Sequence, residues 1–282
     1  MTQFATRLVR TTVEPEGDAF RWRREPGPAY VPPPAPLPGS LRRTLTDLHP
    51  ALRLPVRPIA EPGLSLTYLA HGPLPAASWL AFPDQQPLVR QALHAAGAAL
   101  AALHRLPAPP EVTRPHPGVA RLATWLATGE SAPALHRAAA GRLGPARLDR
   151  LLDRCATLLG PPGGDLLHGA ASLALIVPGP EPALLSGEFL ARGSGSLDVA
   201  WLLAELSELE LAVAHGLAPA LSADYEALRR AVQDGYGQPV AVEGLVPLRV
   251  LTHAHDYAAY VGWDPQLTKY LDIVADVMEG RP

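Results

Sequence analysis

Two short apolar segments, Leu173 to Val177 and Ala183 to Leu185, lie between long Ala/Leu-rich stretches whose apolar residues recur at helical spacing. They are too short to be helices, so they read as a strand pair set inside a helical region, an uncommon pattern that few folds accommodate. On one side, Val89, Leu93, Ala96, Leu100 and Leu103 mark a single helical face that ends at Leu106-Pro107. Further helices are expected at about 117–128, 132–142, 146–159, 197–215, 222–236, 245–261 and 265–279, with Pro and Gly clusters between them.

The first third is different: polar, and punctuated by proline up to about residue 85. Arg7 to Val13 and Asp18 to Arg24 alternate enough to form a hairpin around Glu14-Pro15-Glu16-Gly17. Pro26 to Pro38 runs extended, Ser40 caps a short helix through Leu48, and Leu52 to Ala60 and Leu64 to Ala70 read as strands. Pro55 and Pro58 push the first of these toward a sheet edge. The expectation is an α+β chain with a small β-containing lobe followed by a larger, mainly helical one.

At 282 residues and 48% hydrophobic content the chain can bury one large core or two modest ones. A net charge of -3 gives no general attraction to nucleic acid or an anionic membrane, so neither is expected as a partner. Proline and arginine interrupt every apolar run short of a bilayer's thickness. The single cysteine, Cys155, forms no intramolecular disulfide, and its helix-like context marks it as a small buried thiol. No basic-then-apolar leader opens the sequence, which makes the cytoplasm the default location.

Three segments then fall into a known order. His168-Gly169-Ala170 is followed by Leu175-Ile176-Val177, by Leu185-Ser186-Gly187-Glu188, and by Leu197-Asp198-Val199-Ala200-Trp201-Leu202. This resembles the aminoglycoside phosphotransferase and choline kinase-like family, whose catalytic loop reads H-G-D-x-x-x-x-N, then a strand pair ending I-D-[FW]-E, then a helix beginning L-D-L-A-W-L. Leu66-Thr67-Tyr68-Leu69-Ala70-His71-Gly72-Pro73-Leu74 resembles that family's inter-lobe hinge, and Ala101-Ala102-Leu103-His104-Arg105-Leu106-Pro107 the end of its next helix. The resemblance implies a bilobal protein-kinase-like fold, divided into a degenerate lobe over 1–72 and a helical lobe over 73–282.

It also implies that the chemistry has been removed. The family's catalytic Asp falls on Ala170, its magnesium-binding Asn on Leu175 and its second magnesium-binding Asp on Ser186. Alanine and leucine have no side-chain oxygen, and a neutral hydroxyl is a poor ligand for a hard dication. The first lobe has no lysine for the phosphates, since Lys269 is the only one in the chain, and no glycine-rich loop beyond Gly17. Arg21, Arg23 or Arg24 would have to replace the lysine, and Asp47 is the acid its helix offers.

The reading is therefore a pseudokinase without phosphoryl transfer, cofactor or metal. It would bind a peptide or small molecule in the inter-lobe cleft, with natural-product biosynthesis and a partner biosynthetic enzyme as the setting. Two alternatives stay open: a repurposed enzyme such as a thioether-forming lanthipeptide or thioamitide cyclase, and a phosphotransferase on a small hydroxyl compound with relocated groups.

For such a reaction the candidate catalytic residues are His168, Glu188, His253, Asp256 and Tyr257. His253, Asp256, Tyr257 and Tyr260 follow i, i+3, i+4, i+7 spacing and form one polar-aromatic stripe. His253 and His255 point to different helix faces, which argues against a metal site. His168 and Asp198 also suit a structural role, the aspartate holding the loop backbone. Glu188 is equally consistent with an exposed carboxylate, Glu205, Glu208 and Glu210 with a solvated helix face, and Trp22 with Arg21, Arg23 and Arg24 with a basic patch.

Overall fold

Alternation along the first strands decides which residues leave water. In the computed structural model, which describes residues 1–30, 37–56, 65–160, 164–219, 223–242 and 244–281, the chain opens with β1 (Thr2–Ala5), β2 (Val9–Glu16) and β3 (Ala19–Pro26). The β2–β3 hairpin turns at Gly17 and Asp18, with Gly17 at φ 64°. That is later than the expected turn at 14–17. Pro15 stays in the strand because β1 reaches only as far as Val13, so Pro15 has a ladder neighbour, Phe20, on one side alone.

Along β3, Trp22 and Arg24 point inward and are buried, whereas Arg21 and Arg23 face out and pair with Glu16 and Glu25. The supposed basic patch is thus split between two faces. The chain continues through α1 (Gly39–Thr46), β4 (Leu52–Arg53), β5 (Leu66–Ala70) and the single-turn α2 (Ala76–Trp79). Ser40 lies inside α1 rather than capping it, because the helix already starts behind Pro38. Residues 31–36 and 57–64, which carry part of the expected extended run and strands, lie outside the described residues.

β5 joins β3 to complete an antiparallel sheet of order β1-β2-β3-β5. The helical part holds α3 (Gln86–His104), α4 (Pro117–Thr128), α5 (Pro133–Leu143), α6 (Pro145–Leu158), then β6 (Asp165–Leu167), β7 (Ile176–Val177), β8 (Ala183–Leu185) and β9 (Ala191–Gly193), and finally α7 (Ser196–Ala214), α8 (Tyr225–Tyr236), α9 (Val246–Tyr260) and α10 (Leu267–Met278). Proline occupies a first-turn position in α3, α4, α5, α6 and α9, where its missing N–H has no partner to lose. Prolines that read as breakers therefore also mark where helices begin.

The embedded strand pair is real but shorter: of Leu173 to Val177 only Ile176 and Val177 pair, with Leu184 and Ala183. β4 joins β8 in parallel, Leu52 opposite Leu184, so a strand from the first part of the chain enters the hairpin's sheet. A separate pair, β6 with β9, was not foreseen because three residues leave no period to read. α7 is buried nearly all round its first half, and Cys155 on α6 is completely buried, its thiol pushed up to about 12 by that burial.

The first sheet closes on the hairpin through one apolar cluster. Val13, Trp22, Leu66, Tyr68 and Ala70 from the sheet meet Leu175, Val177, Ala183 and Leu185. Trp22 also donates its indole N–H to the Gly72 carbonyl at 3.0 Å. Replacing Trp22 by Ala is expected to cost about 3–5 kcal/mol, read as a lowered urea midpoint. Trp22→Phe keeps most of the apolar contact but strands the Gly72 carbonyl, so it should fall between Ala and wild type.

Candidate functional site

The loop after β6 is held from beneath by one carboxylate. Asp198, on the first turn of α7, accepts the His168 N–H at 2.6 Å, the Gly169 N–H at 2.9 Å and the His104 Nε2 at 3.1 Å. Its complete burial favours the neutral acid, but the hydrogen bond from His104 and the neighbouring His104, His116 and His168 rings outweigh this and hold its pKa below the usual range. Burial is also what pulls His116 down to about 4. Gly169 sits at φ 80°, and a Cβ there would stand 2.0 Å from the Phe189 carbonyl, so the turn admits no side chain.

His168 is committed to the same framework. Its Nε2 donates to the Leu185 carbonyl at 2.9 Å and its Nδ1 accepts the Ala170 N–H at 3.3 Å, which fixes a neutral tautomer whose pKa burial lowers. Both ring nitrogens thus serve the backbone.

Ala170, Leu175 and Ser186 lie in or against packed regions. Leu175 belongs to the apolar cluster beneath the first sheet, Ala170 packs at its edge, and Ser186 is buried with its hydroxyl unpaired. Glu188 is neither exposed nor alone: it is 5% exposed and bound by Arg24, Nε to Oε2 at 2.7 Å and Nη2 to Oε1 at 3.5 Å. Arg24 further donates to Thr11 Oγ1 at 3.2 Å.

Of the three arginines weighed as stand-ins for a phosphate-binding lysine, Arg24 is the one that points inward, and its partner is Glu188 rather than Asp47. Burial, then the charge of Glu188, raises the phenols of Tyr30 and Tyr68 far above their ordinary value. This donor set does not fit a magnesium-bound nucleotide. Two positions have no oxygen, the third offers a hydroxyl, and the remaining carboxylate is neutralised by a guanidinium.

Tyr30 stacks on Phe189 with ring centroids 5.9 Å apart, and Arg114 donates to the carbonyls of Glu188 and Leu190, each at 2.6 Å. Arg121 lies within electrostatic reach of Tyr30 and forms a bidentate pair with Asp256, Nε to Oδ1 at 3.0 Å and Nη2 to Oδ2 at 2.6 Å. Burial favours the neutral acid of Asp256, but Arg121 and the His255 ring hold it at about 2. Arg121 also lies over the Tyr260 ring, 5.9 Å from its centroid, and Tyr257 next along α9 is exposed.

His253 belongs to another network. Its Nδ1 is 2.6 Å from Glu208 Oε1 and its ring stacks on Tyr270 at 5.0 Å. Burial lowers its pKa, but Glu208 more than reverses this and the net shift is upward. Glu205 and Glu208 were expected to face solvent and instead are buried against Arg249 of α9, at 3.0 and 2.9 Å, while Glu210 remains outside with Arg229. A run of acids on a helix looks solvated until a buried arginine on a facing helix is known. Four of the five candidate residues thus divide among a loop framework, the Arg24 pair, the Arg121 pair and the Glu208 network, and Tyr257 stands exposed on α9.

No protein-family model matches the sequence, and no curated protein matches it. Solved structures do. A glucosamine kinase matches at TM-score 0.53 with 18% identity over 96% of this chain and 78% of that one. Spectinomycin phosphotransferase in complex with ADP and spectinomycin matches at 0.52 with 11% identity over 96% of this chain and 88% of that one. At these identities the likeness shows the fold: a protein-kinase-like architecture with a small sheet-containing N-terminal region and a mostly helical remainder.

Removing one partner of the buried ion pair leaves an uncompensated charge, so Glu188→Ala should destabilise by about 3–5 kcal/mol. Replacing both, Arg24→Met with Glu188→Leu, should recover most of that in chemical unfolding. The Arg121–Asp256 pair stabilises the fold above about pH 4, the ordinary carboxylate range, and is lost as pH falls toward 2. Arg121→Ala should therefore lower the melting temperature at pH 5 and flatten its decline between pH 4 and pH 2.

Proposed function

We propose that this chain is a kinase-fold binding protein that transfers no phosphoryl group and holds a peptide or small molecule in the cleft between its first sheet and its helices. The observation that carries this reading is the buried Arg24–Glu188 pair, set beside Leu175 and Ser186 where kinases of this type hold magnesium. A metal–phosphate group entering there would have to displace the guanidinium and desolvate against an apolar wall.

Chemistry at the cleft suits a different occupant. Tyr30, Phe189, Arg114 and Arg121 are partly exposed, combining aromatic faces with guanidinium groups, the residue types that anchor peptide and small organic ligands. The relatives in fold bear the names of phosphotransferases for amino-sugar and aminocyclitol compounds, which makes small polar molecules natural probes alongside acidic or aromatic peptides.

The test pairs ligand classes in one assay. Thermal shifts are measured with ATP, ADP or GTP plus magnesium, and with a library of short peptides and amino-sugars. The reading expects no shift with any nucleotide and a saturable upward shift with at least one peptide or small molecule, lost in Arg121→Ala. A saturable nucleotide shift accompanied by ADP release would replace it with a phosphotransferase whose groups have moved.

A further inference from the structure

Where the loop between α4 and α5 meets α9, three side chains form a relay that the kinase-like cleft does not use. Ser131 Oγ lies 2.8 Å from His255 Nε2, and His255 Nδ1 lies 2.8 Å from Asp256 Oδ1. The carboxylate is ionised, since Arg121 holds it so, and it accepts a hydrogen bond from His255 Nδ1. That leaves the Nε2 lone pair facing the serine hydroxyl. Ser131 Oγ also donates to the Glu130 carbonyl at 2.5 Å, and the hydroxyl turns from there to His255 Nε2 when the proton is passed.

Backbone and burial add to the geometry. Ser131, at φ 66°, is the one non-glycine residue with positive φ among the described residues, an arrangement that costs energy and concentrates at functional sites. It is exposed, whereas His255 is completely buried, its ring held by Trp125 at 5.5 Å and Tyr260 at 6.2 Å. Helix α5 begins two residues further on, at Pro133, with its positive end toward the serine. Sequence reading passed over Ser131 and set His255 aside, because no spacing rule joins a loop serine to a histidine 124 residues away.

We propose that Ser131, His255 and Asp256 form a nucleophilic acyl-transfer site for small carboxylic esters. Ser131 Oγ attacks the ester carbonyl carbon while His255 Nε2 takes its proton. The tetrahedral adduct collapses, the bond from the carbonyl carbon to the leaving oxygen breaks, and the departing alkoxide takes that proton back from His255. Water then attacks the acyl-serine by the same route and releases the carboxylic acid. Asp256 is a positioning residue that fixes the tautomer.

The experiment treats the full chain with an alkyl fluorophosphonate and locates the adduct by peptide mass spectrometry. One adduct on Ser131 is expected. It should be absent from protein unfolded in urea and from Ser131→Gly, which accepts the positive φ and keeps the wild-type melting temperature. Labelling should slow by about 100-fold or more in His255→Gln. The burst of p-nitrophenol from p-nitrophenyl acetate should vanish in Ser131→Gly. No adduct on Ser131, or equal labelling of the folded and unfolded chains, would overturn the assignment. So would an unchanged labelling rate in His255→Gln.

Discussion

A salt bridge that has lost its water connects the two parts of this molecule. Arg24, on the inner face of β3, reaches Glu188 beyond the end of β8 with both side chains less than a tenth exposed. Ionic groups so placed pay a large desolvation penalty, which their mutual attraction and the bond to Thr11 must offset. The apolar cluster of Trp22, Tyr68, Leu175 and Val177 joins the same sheet to the same hairpin. Arg24 and Glu188 therefore act as a polar register pin within an otherwise apolar contact.

The loop after β6 is held as a backbone framework by buried side chains. Asp198 still gathers the backbone of His168 and Gly169, and His104 ties it to α3. These bonds satisfy buried donors and so are needed for folding whether or not any phosphate is transferred. Leu175 belongs to the apolar cluster, Ala170 packs against it, and Ser186 is buried with its hydroxyl unpaired.

Much of the architecture was legible because helices carry long periods and strong punctuation. The faces of α3 through α10, and the proline starts of α3 to α6 and α9, place these elements within a few residues, and the loop-hairpin-helix order points to the fold. Short elements escaped: β1, β6 and β9 span three or four residues, too few for alternation to register. Polar partners escaped more completely. The sequence shows Glu188, Glu208 and Asp256, but their partners Arg24, Arg249 and Arg121 come from other elements that only tertiary packing brings near. Acids therefore read as solvated edges when they are buried ion pairs.

We propose that a buried ion pair and an apolar wall close the cleft to magnesium nucleotide. Isothermal titration calorimetry of the full chain with magnesium and ATP tests this directly, with Arg24→Met/Glu188→Leu titrated in parallel. The account predicts no binding heat for either protein up to millimolar nucleotide, because removing the ion pair supplies no metal ligand. A saturable, magnesium-dependent isotherm in the wild-type chain would contradict it.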